Sequence, residues 1–290
     1  MSASVHSKLL GFGLIVVSAV SFGFMPIFAT FSYQNGLDVQ TILLFRFLIA
    51  AILLNLYLWW RGYRYPRGKA LITLIFMGAV LYAIQAFSYF TAVGLIGSSL
   101  TSILLYTHPA IVLVLSMFLL KTRIKRTDIV ALTLTTIGAI LVIGLRFGDI
   151  NIIGVFFGLT AAVVYSLYIL IGTKVMQRID PLVASTVIIS SAALIYLVYG
   201  VSIQLAIPRE PIQWLLLMGV ALISTIVAIS TFFYGLKIIG PVKASMVSTL
   251  ELITTLIFAF ILLGEQIGMM QIMGSLLILF AALLLAQSKG

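Results

Sequence analysis

Two stretches of this sequence decide its fold: SYFTAVGLIGSSLTSILLYTHPAIVLVLSMFLLKT (residues 88–122) and TFFYGLKIIGPVKASMVSTLELITTLIFAFILLGE (residues 231–265). Moved forward by 143 positions, the first stretch falls on the second without a gap and places Phe90 on Phe233. The same shift extends over residues 1–145, so the chain consists of two similar halves. Doubled hydrophobic halves are typical of membrane proteins that are built from structural repeats.

The composition is that of a polytopic membrane protein. Apolar residues make up 62 % of the chain and charged residues 8 %, whereas a soluble domain has about 25 % charged residues. Apolar runs of about 20 residues, long enough to cross a bilayer as helices, recur throughout the chain and do not alternate as barrel strands do. The sequence therefore predicts an all-α membrane protein with ten transmembrane helices, at 9–32, 39–60, 70–93, 98–120, 127–145, 151–173, 182–206, 212–236, 241–263 and 267–287.

The positive charges lie on one side of these predicted spans. Of 17 Lys and Arg residues, 14 fall on the side of the termini: Lys8, Arg61, Arg64, Arg67, Lys69, Lys121, Arg123, Lys125, Arg126, Lys174, Arg178, Lys237, Lys243 and Lys289. The positive-inside rule then places both termini in the cytoplasm. We expect the chain to lie in the plasma membrane. Because the basic residues adjoin hydrophobic spans, the net charge of +10 indicates contact with the bilayer surface and not with nucleic acid.

Each half contains an odd number of spans, so the second half enters the membrane in the opposite sense. We expect two inverted five-helix repeats, residues 1–146 and 147–290. Such pairs provide alternating access, which predicts a transporter for a small molecule; a complete pair in one chain also permits a working monomer. The chain has no cysteine, Walker A loop or HExxH motif, so we expect no enzyme activity, cofactor or metal.

Two ionisable residues stand at matching positions deep in the spans. The 143-residue shift pairs His108 in span four with Glu251 in span nine. Such groups are costly in a membrane unless they face a cavity or each other. They either line a substrate pathway, where a proton is a candidate coupling ion, or form a hydrogen-bonded pair that holds helices together.

Polar and aromatic residues share faces of two further spans. Tyr82, Gln85 and Tyr89 lie on one face of span three, and Tyr165 and Tyr168 lie one turn apart in span six. Tyrosines in mid-span do not belong to the interfacial belt of aromatic residues. They indicate either a cavity for an amphipathic solute or ordinary helix packing.

Two prolines and one arginine complete the candidate sites. Pro26 and Pro109 each remove a helix hydrogen bond, so we expect kinks in spans one and four. Arg46 lies within span two, where its long side chain can reach outward or pair with a carboxylate. Glu265, at the outer end of span nine, is the candidate partner for such an ion pair.

These features resemble the EamA-type ten-helix branch of the drug/metabolite transporter superfamily over the full length. The second half carries GPVKAS (240–245), LEL (250–252), LLGEQI (262–267) and QIMGSLLIL (271–279), and the first half echoes them with GLIGSSLTSIL (94–104) and THPAIVLVL (107–115). Family members usually have proline where this chain has Leu252, and commonly glutamate where it has Thr122.

The resemblance implies a secondary transporter with a cavity between the halves, often an exporter of amino acids or other small metabolites. Two other classes of protein remain open from the residues alone. A flippase-like, lipid-handling protein would present a groove open to lipid. A structural or sensory membrane subunit would form a closed, dry bundle.

Overall fold

In the computed structural model, the described residues are 2–121, 123–143, 151–202, 207–264 and 267–287, and their regular elements are helices. The α-helices are α1 (Ser2–Gly23), α2 (Met25–Gln34), α3 (Val39–Trp60), α4 (Lys69–Phe76), α5 (Ala83–Leu105), α6 (His108–Leu119), α7 (Arg126–Ile143), α8 (Ile152–Met176), α9 (Pro181–Ser202), α10 (Pro211–Ala221), α11 (Ala228–Ile239), α12 (Pro241–Val247), α13 (Leu250–Leu263) and α14 (Met269–Gln287). Two π-helical segments, Met77–Tyr82 and Leu222–Val227, connect α4 to α5 and α10 to α11.

The predicted all-α membrane fold is confirmed. Within the described residues, 7 helical stretches are long and apolar enough to cross a membrane: Ser7–Gln34, Val39–Trp60, Lys69–Ala92, Ile152–Met176, Pro181–Gly200, Pro211–Ile239 and Pro241–Leu262. Shorter apolar helices occur at His108–Leu119 and Met269–Leu285. The chain is therefore a multi-pass membrane protein.

The connection between predicted spans three and four differs from the expected loop. The backbone stays helical through 94–97, inside α5. Nevertheless, the order in which successive residues of α5 contact α8 reverses near these positions. Ile96 packs against Gly154, whereas Leu104 packs one turn further along α8, against Gly158. A straight helix antiparallel to α8 would carry Leu104 about 12 Å past Ile96, beyond the start of α8. The chain therefore folds back on itself within α5.

The first helix of the chain packs antiparallel to α11 of the second half. Gly11 lies against Ile239, and the Ser18 hydroxyl donates to the Ala228 carbonyl at 2.8 Å. The two helices therefore run in opposite directions. The equivalent pair under the 143-residue shift, α8 and α5, is also in extensive contact. Each half therefore places its first helix against the third span of the other half.

The direction of α8 shows that the halves are inverted. Tyr165 and Phe232 have ring centroids 6.4 Å apart, and further along the same helices Gly172 lies against Leu236, so α8 and α11 run parallel. Because α1 is antiparallel to α11, α1 and α8 run in opposite directions. The two repeats are thus related by a pseudo-two-fold axis, as the sequence predicts.

Both halves interrupt a helix in the middle of the bundle. The breaks between α5 and α6 and between α12 and α13 fall at equivalent positions of the two repeats. At each break a threonine hydroxyl satisfies a carbonyl three residues earlier: Thr107 donates to Leu104 and Thr249 to Met246, both at 2.6 Å. Broken helices are tolerated at membrane depth where such groups are satisfied or line a cavity.

The two prolines lie directly after helix interruptions. Pro26 is the second residue of α2, and Pro109 is the second residue of α6. Pro109 has no N–H to donate to the carbonyl of Leu105. That carbonyl oxygen lies 3.0 Å from Nδ1 of the His108 ring. The break before α13 forms with Leu252 in place of proline, so a proline ring is not required for it.

Candidate functional site

A central cavity of about 190 Å³ lies between the two halves. The first half supplies most of its wall, from α1, α2, α3 and α5, and the second half contributes Tyr165 and Glu251. The cavity extends from the middle of the bundle to the exposed Tyr33, near the end of α2. It is smaller than the roughly 300–1,000 Å³ of sites for drug-sized ligands, which favours a small solute.

Most of the residues that the sequence places on a substrate pathway line this cavity: Tyr82, Gln85, Tyr89, Tyr165 and Glu251. The first three project from one face because they are spaced three and four residues apart along the helical backbone. His108 and Tyr168 are buried outside the lining, at 1 % and 3 % exposure. Pro26 also lines the cavity, at the start of α2.

Arg46 is buried in the wall and joins the two repeats. Its Nε donates to the Thr225 hydroxyl at 2.8 Å, and Nη2 donates to the Tyr82 hydroxyl at 2.7 Å. The 143-residue shift equates Tyr82 with Thr225, so the arginine bridges equivalent positions at the two π-helical segments. The outward-reaching orientation considered from sequence is wrong, since Arg46 is only 3 % exposed. Its predicted partner, Glu265, lies outside the described residues.

The side chains of Glu251 and His108 have separate partners. The Glu251 carboxyl lines the cavity and hydrogen-bonds the Tyr106 hydroxyl. The His108 ring lies 4.9 Å from the ring of Tyr165, and its Nδ1 lies 3.0 Å from the Leu105 carbonyl oxygen. The arrangement thus leaves Glu251 in reach of a solute, whereas His108 supports the wall behind Tyr165.

Packed rings close the cavity toward the side where α1 begins. We call Tyr165, Tyr168, Phe232 and Phe233 the aromatic floor. The rings of Tyr165 and Tyr168 stack at 6.2 Å, and those of Tyr168 and Phe233 lie 5.4 Å apart. Phe232 and Phe233 are almost fully buried. The cavity is therefore open toward one face of the membrane and closed toward the other.

A second cavity, of about 480 Å³, lies on the outside of the bundle between α3, α5 and α9. Its wall includes the exposed apolar side chains Ile84, Phe87 and Ile195. No charged residue lines it within the described structure. The ionisable groups Arg46 and Glu251 instead line the central cavity, so the central cavity is the site suited to a polar solute.

Sequence reasoning did not identify Thr225 as a hydrogen-bond partner of Arg46. It also did not place Phe22, Met25 and Phe90 in the lining of the cavity. Hydropathy does not single out these residues. The internal repeat could have found Thr225, because the shift that identifies the two halves places it on Tyr82.

Comparison with known proteins agrees with this architecture. The model of the EamA-like transporter family matches residues 9–144 and again residues 152–287, one match in each half. The chain is 22 % identical to the uncharacterized transporter YcbK of Bacillus subtilis, over 94 % of this chain and 93 % of that protein. It is 24 % identical to an uncharacterized transporter of Archaeoglobus fulgidus, over 94 % of this chain and 95 % of that protein.

A solved crystal structure shares the fold. It superposes with a TM-score of 0.80 and covers 96 % of both chains at 15 % sequence identity. This likeness shows that the two chains share the fold.

Proposed function

Because this chain belongs to the EamA-like transporter family, we propose that it is a secondary transporter that exports a small organic metabolite, such as an amino acid, across the plasma membrane by alternating access. The bias of Lys and Arg toward one side supports cytoplasmic termini. With that orientation, the central cavity faces outward and the aromatic floor lies toward the cytoplasm. Transport of this kind requires no covalent chemistry.

The repeat relation between the two ends of the cavity carries this proposal. Under the 143-residue shift, the aromatic floor corresponds residue by residue to Phe22, Met25, Tyr89 and Phe90, which we call the outer set. All members of the outer set line the open cavity, whereas their counterparts are packed together and only Tyr165 among them reaches the cavity. If the repeats exchange conformations, the outer set packs together and the floor opens.

Two near-equivalent arrangements make this exchange plausible in energetic terms. Each state buries one layer of four large side chains. The buried layer is the aromatic floor in one state and the outer set in the other. A ligand changes the balance between them only through its different affinity for each state. The cavity residues Gln85, Glu251 and Arg46 supply polar groups through which a bound solute can exert that preference.

The proposal is tested by counterflow in proteoliposomes over a panel of amino acids and nucleobases. We expect saturable exchange of at least one solute. We also expect net transport of that solute away from the side of the membrane on which the termini lie. Ala29→Trp fills the cavity wall and should abolish exchange, whereas Leu56→Trp adds the same ring at a position that is 55 % exposed on the bundle surface. Absence of exchange across the panel by folded protein, or equal activity of the two variants, contradicts the proposal.

A further inference from the structure

Among the described residues, the charged group of Arg46 is bound by neutral groups. Besides Tyr82 and Thr225, its guanidinium contacts the Met25 sulfur, with Nη1 at 3.0 Å. Nothing in the described ranges forms an ion pair with it. Charged residues within membrane spans are costly, and they pair with an opposite charge or mark a substrate pathway.

The geometry leaves one edge of the guanidinium available to the cavity. A guanidinium has five N–H donors, and the two strong acceptors here take one each from Nε and Nη2. The thioether of Met25 is a weak acceptor on a flexible side chain, so a stronger acceptor can displace it at Nη1. Once the sulfur is displaced, the edge formed by Nη1 and the second N–H of Nη2 matches the bidentate geometry of a carboxylate.

The other two contacts hold this edge in place. Thr225 accepts from Arg46 and donates its own proton to the Val220 carbonyl at 3.0 Å, so its hydroxyl is fixed in orientation. The Phe47 ring lies beneath the guanidinium, 4.7 Å from Cζ. A planar cation that is held by two hydroxyls and a ring is preorganised for a planar anion.

We infer that Arg46 is the residue that binds a carboxylate of the transported solute, which enters the place now held by the Met25 sulfur. The inference rests on the proposed function and names its substrate class. Glu251 lines the same cavity and offers a carboxyl to a cationic or hydrogen-bond-donating group at the other end of the solute. The rings of Phe22, Tyr89 and Tyr165 supply the apolar wall between them. The substrate is thus a small zwitterion with an apolar body.

The test separates the carboxylate from the rest of the solute. Thermal stabilisation of the purified full-length protein is measured with L-phenylalanine, L-leucine, L-phenylalaninamide, phenethylamine and adenine. We expect stabilisation by at least one of the two free amino acids, and none by the amide or the amine. In Arg46→Gln, the loss of a charge-assisted pair should raise Kd for that amino acid by about 10- to 150-fold.

Two further variants separate binding from folding. Arg46→Lys keeps the charge but loses the planar fork, so we expect it to fold and to bind the amino acid at least about tenfold more weakly. Leu56→Met, at a position that is 55 % exposed on the bundle surface, is the control and leaves the cavity unaltered, so we expect undiminished binding. If Arg46→Gln does not fold, the comparison of acid with amide on the unaltered protein and the Arg46→Lys result still decide the matter.

Equal stabilisation by L-phenylalanine and its amide overturns the inference, as does an Arg46→Gln protein that binds with unchanged affinity. Failure of both amino acids to bind also overturns it. Counterflow of adenine or phenethylamine that is insensitive to Arg46→Gln would reject the carboxylate site while leaving the transport function intact. Carboxylate-dependent binding without any flux would instead reject the transport function and support the site.

Discussion

The bond between Arg46 and Thr225 gives a prediction that isolates one contact between the two repeats. Thr225→Val keeps the shape of the side chain and removes the hydroxyl that accepts from Arg46 Nε at 2.8 Å and donates to the Val220 carbonyl at 3.0 Å. Thr231→Val is the matched control, because the Thr231 hydroxyl donates only within its own helical region, to the carbonyls of Val227 and Ala228.

The expected difference between the two variants follows from the bonds that each one loses. Both lose a hydrogen bond to a backbone carbonyl of the same helical region, worth about 0.6 kcal/mol in a membrane protein. Thr225→Val also loses a bond to a buried cation, worth about 1.5–3 kcal/mol. Thr225→Val should therefore lower the free energy of unfolding by about 1.5–3 kcal/mol more than Thr231→Val does.

The assay is reversible unfolding in mixed micelles by titration with sodium dodecyl sulfate, followed by circular dichroism. The excess destabilisation should disappear when Thr225→Val is combined with Arg46→Gln, since the cation is then absent. Equal destabilisation by Thr225→Val and Thr231→Val would show that the bond between Arg46 and Thr225 contributes nothing measurable to stability.

Two further outcomes are expected. Glu251→Gln retains an oxygen that can accept from Tyr106 but cannot titrate, so transport that depends on pH in the unaltered protein should become independent of pH; an active variant with an unchanged pH profile rules out Glu251 as the proton site. Gly78→Ala places a methyl group onto the Ile188 carbonyl oxygen and should lower the free energy of unfolding by about 1–3 kcal/mol in the same titration, whereas Gly13→Ala, in open space, should be neutral or stabilising; equal effects of the two would contradict the close helix contact.

The fold was predictable from sequence because its determinants are local or periodic. Span two is predicted from its apolar run and is observed at the same residues, 39–60. Asp38 caps its first turn by accepting from the Thr41 N–H at 2.6 Å. The inverted repeat follows from span number and charge alone. The fold-back within α5 was not predictable as a helical segment, because a change of apolar pattern normally marks the end of a helix.

The candidate site was predictable only where it follows helical spacing. Tyr82, Gln85 and Tyr89 share a face by their positions in one helix, and all three line the cavity. Tyr165 and Tyr168 lie one turn apart in the same aromatic floor, yet only Tyr165 lines the cavity, because the cavity ends between them. Contacts that join distant segments cannot be read from the spacing within a single helix.

Cross-linking of the two aromatic layers tests alternating access most directly. The chain has no native cysteine, so paired cysteines introduce the only thiols. One variant combines Tyr165→Cys with Phe232→Cys, whose rings lie 6.4 Å apart in the closed floor, and the other combines the equivalent changes Phe22→Cys and Tyr89→Cys in the outer set. A short, cleavable bifunctional thiol reagent is applied during counterflow.

We expect both pairs to cross-link during turnover, either cross-link to stop exchange, and cleavage of the reagent to restore exchange. An outer pair that never cross-links while exchange proceeds, or a cross-linked floor that leaves the rate unchanged, would contradict the alternation of the two layers.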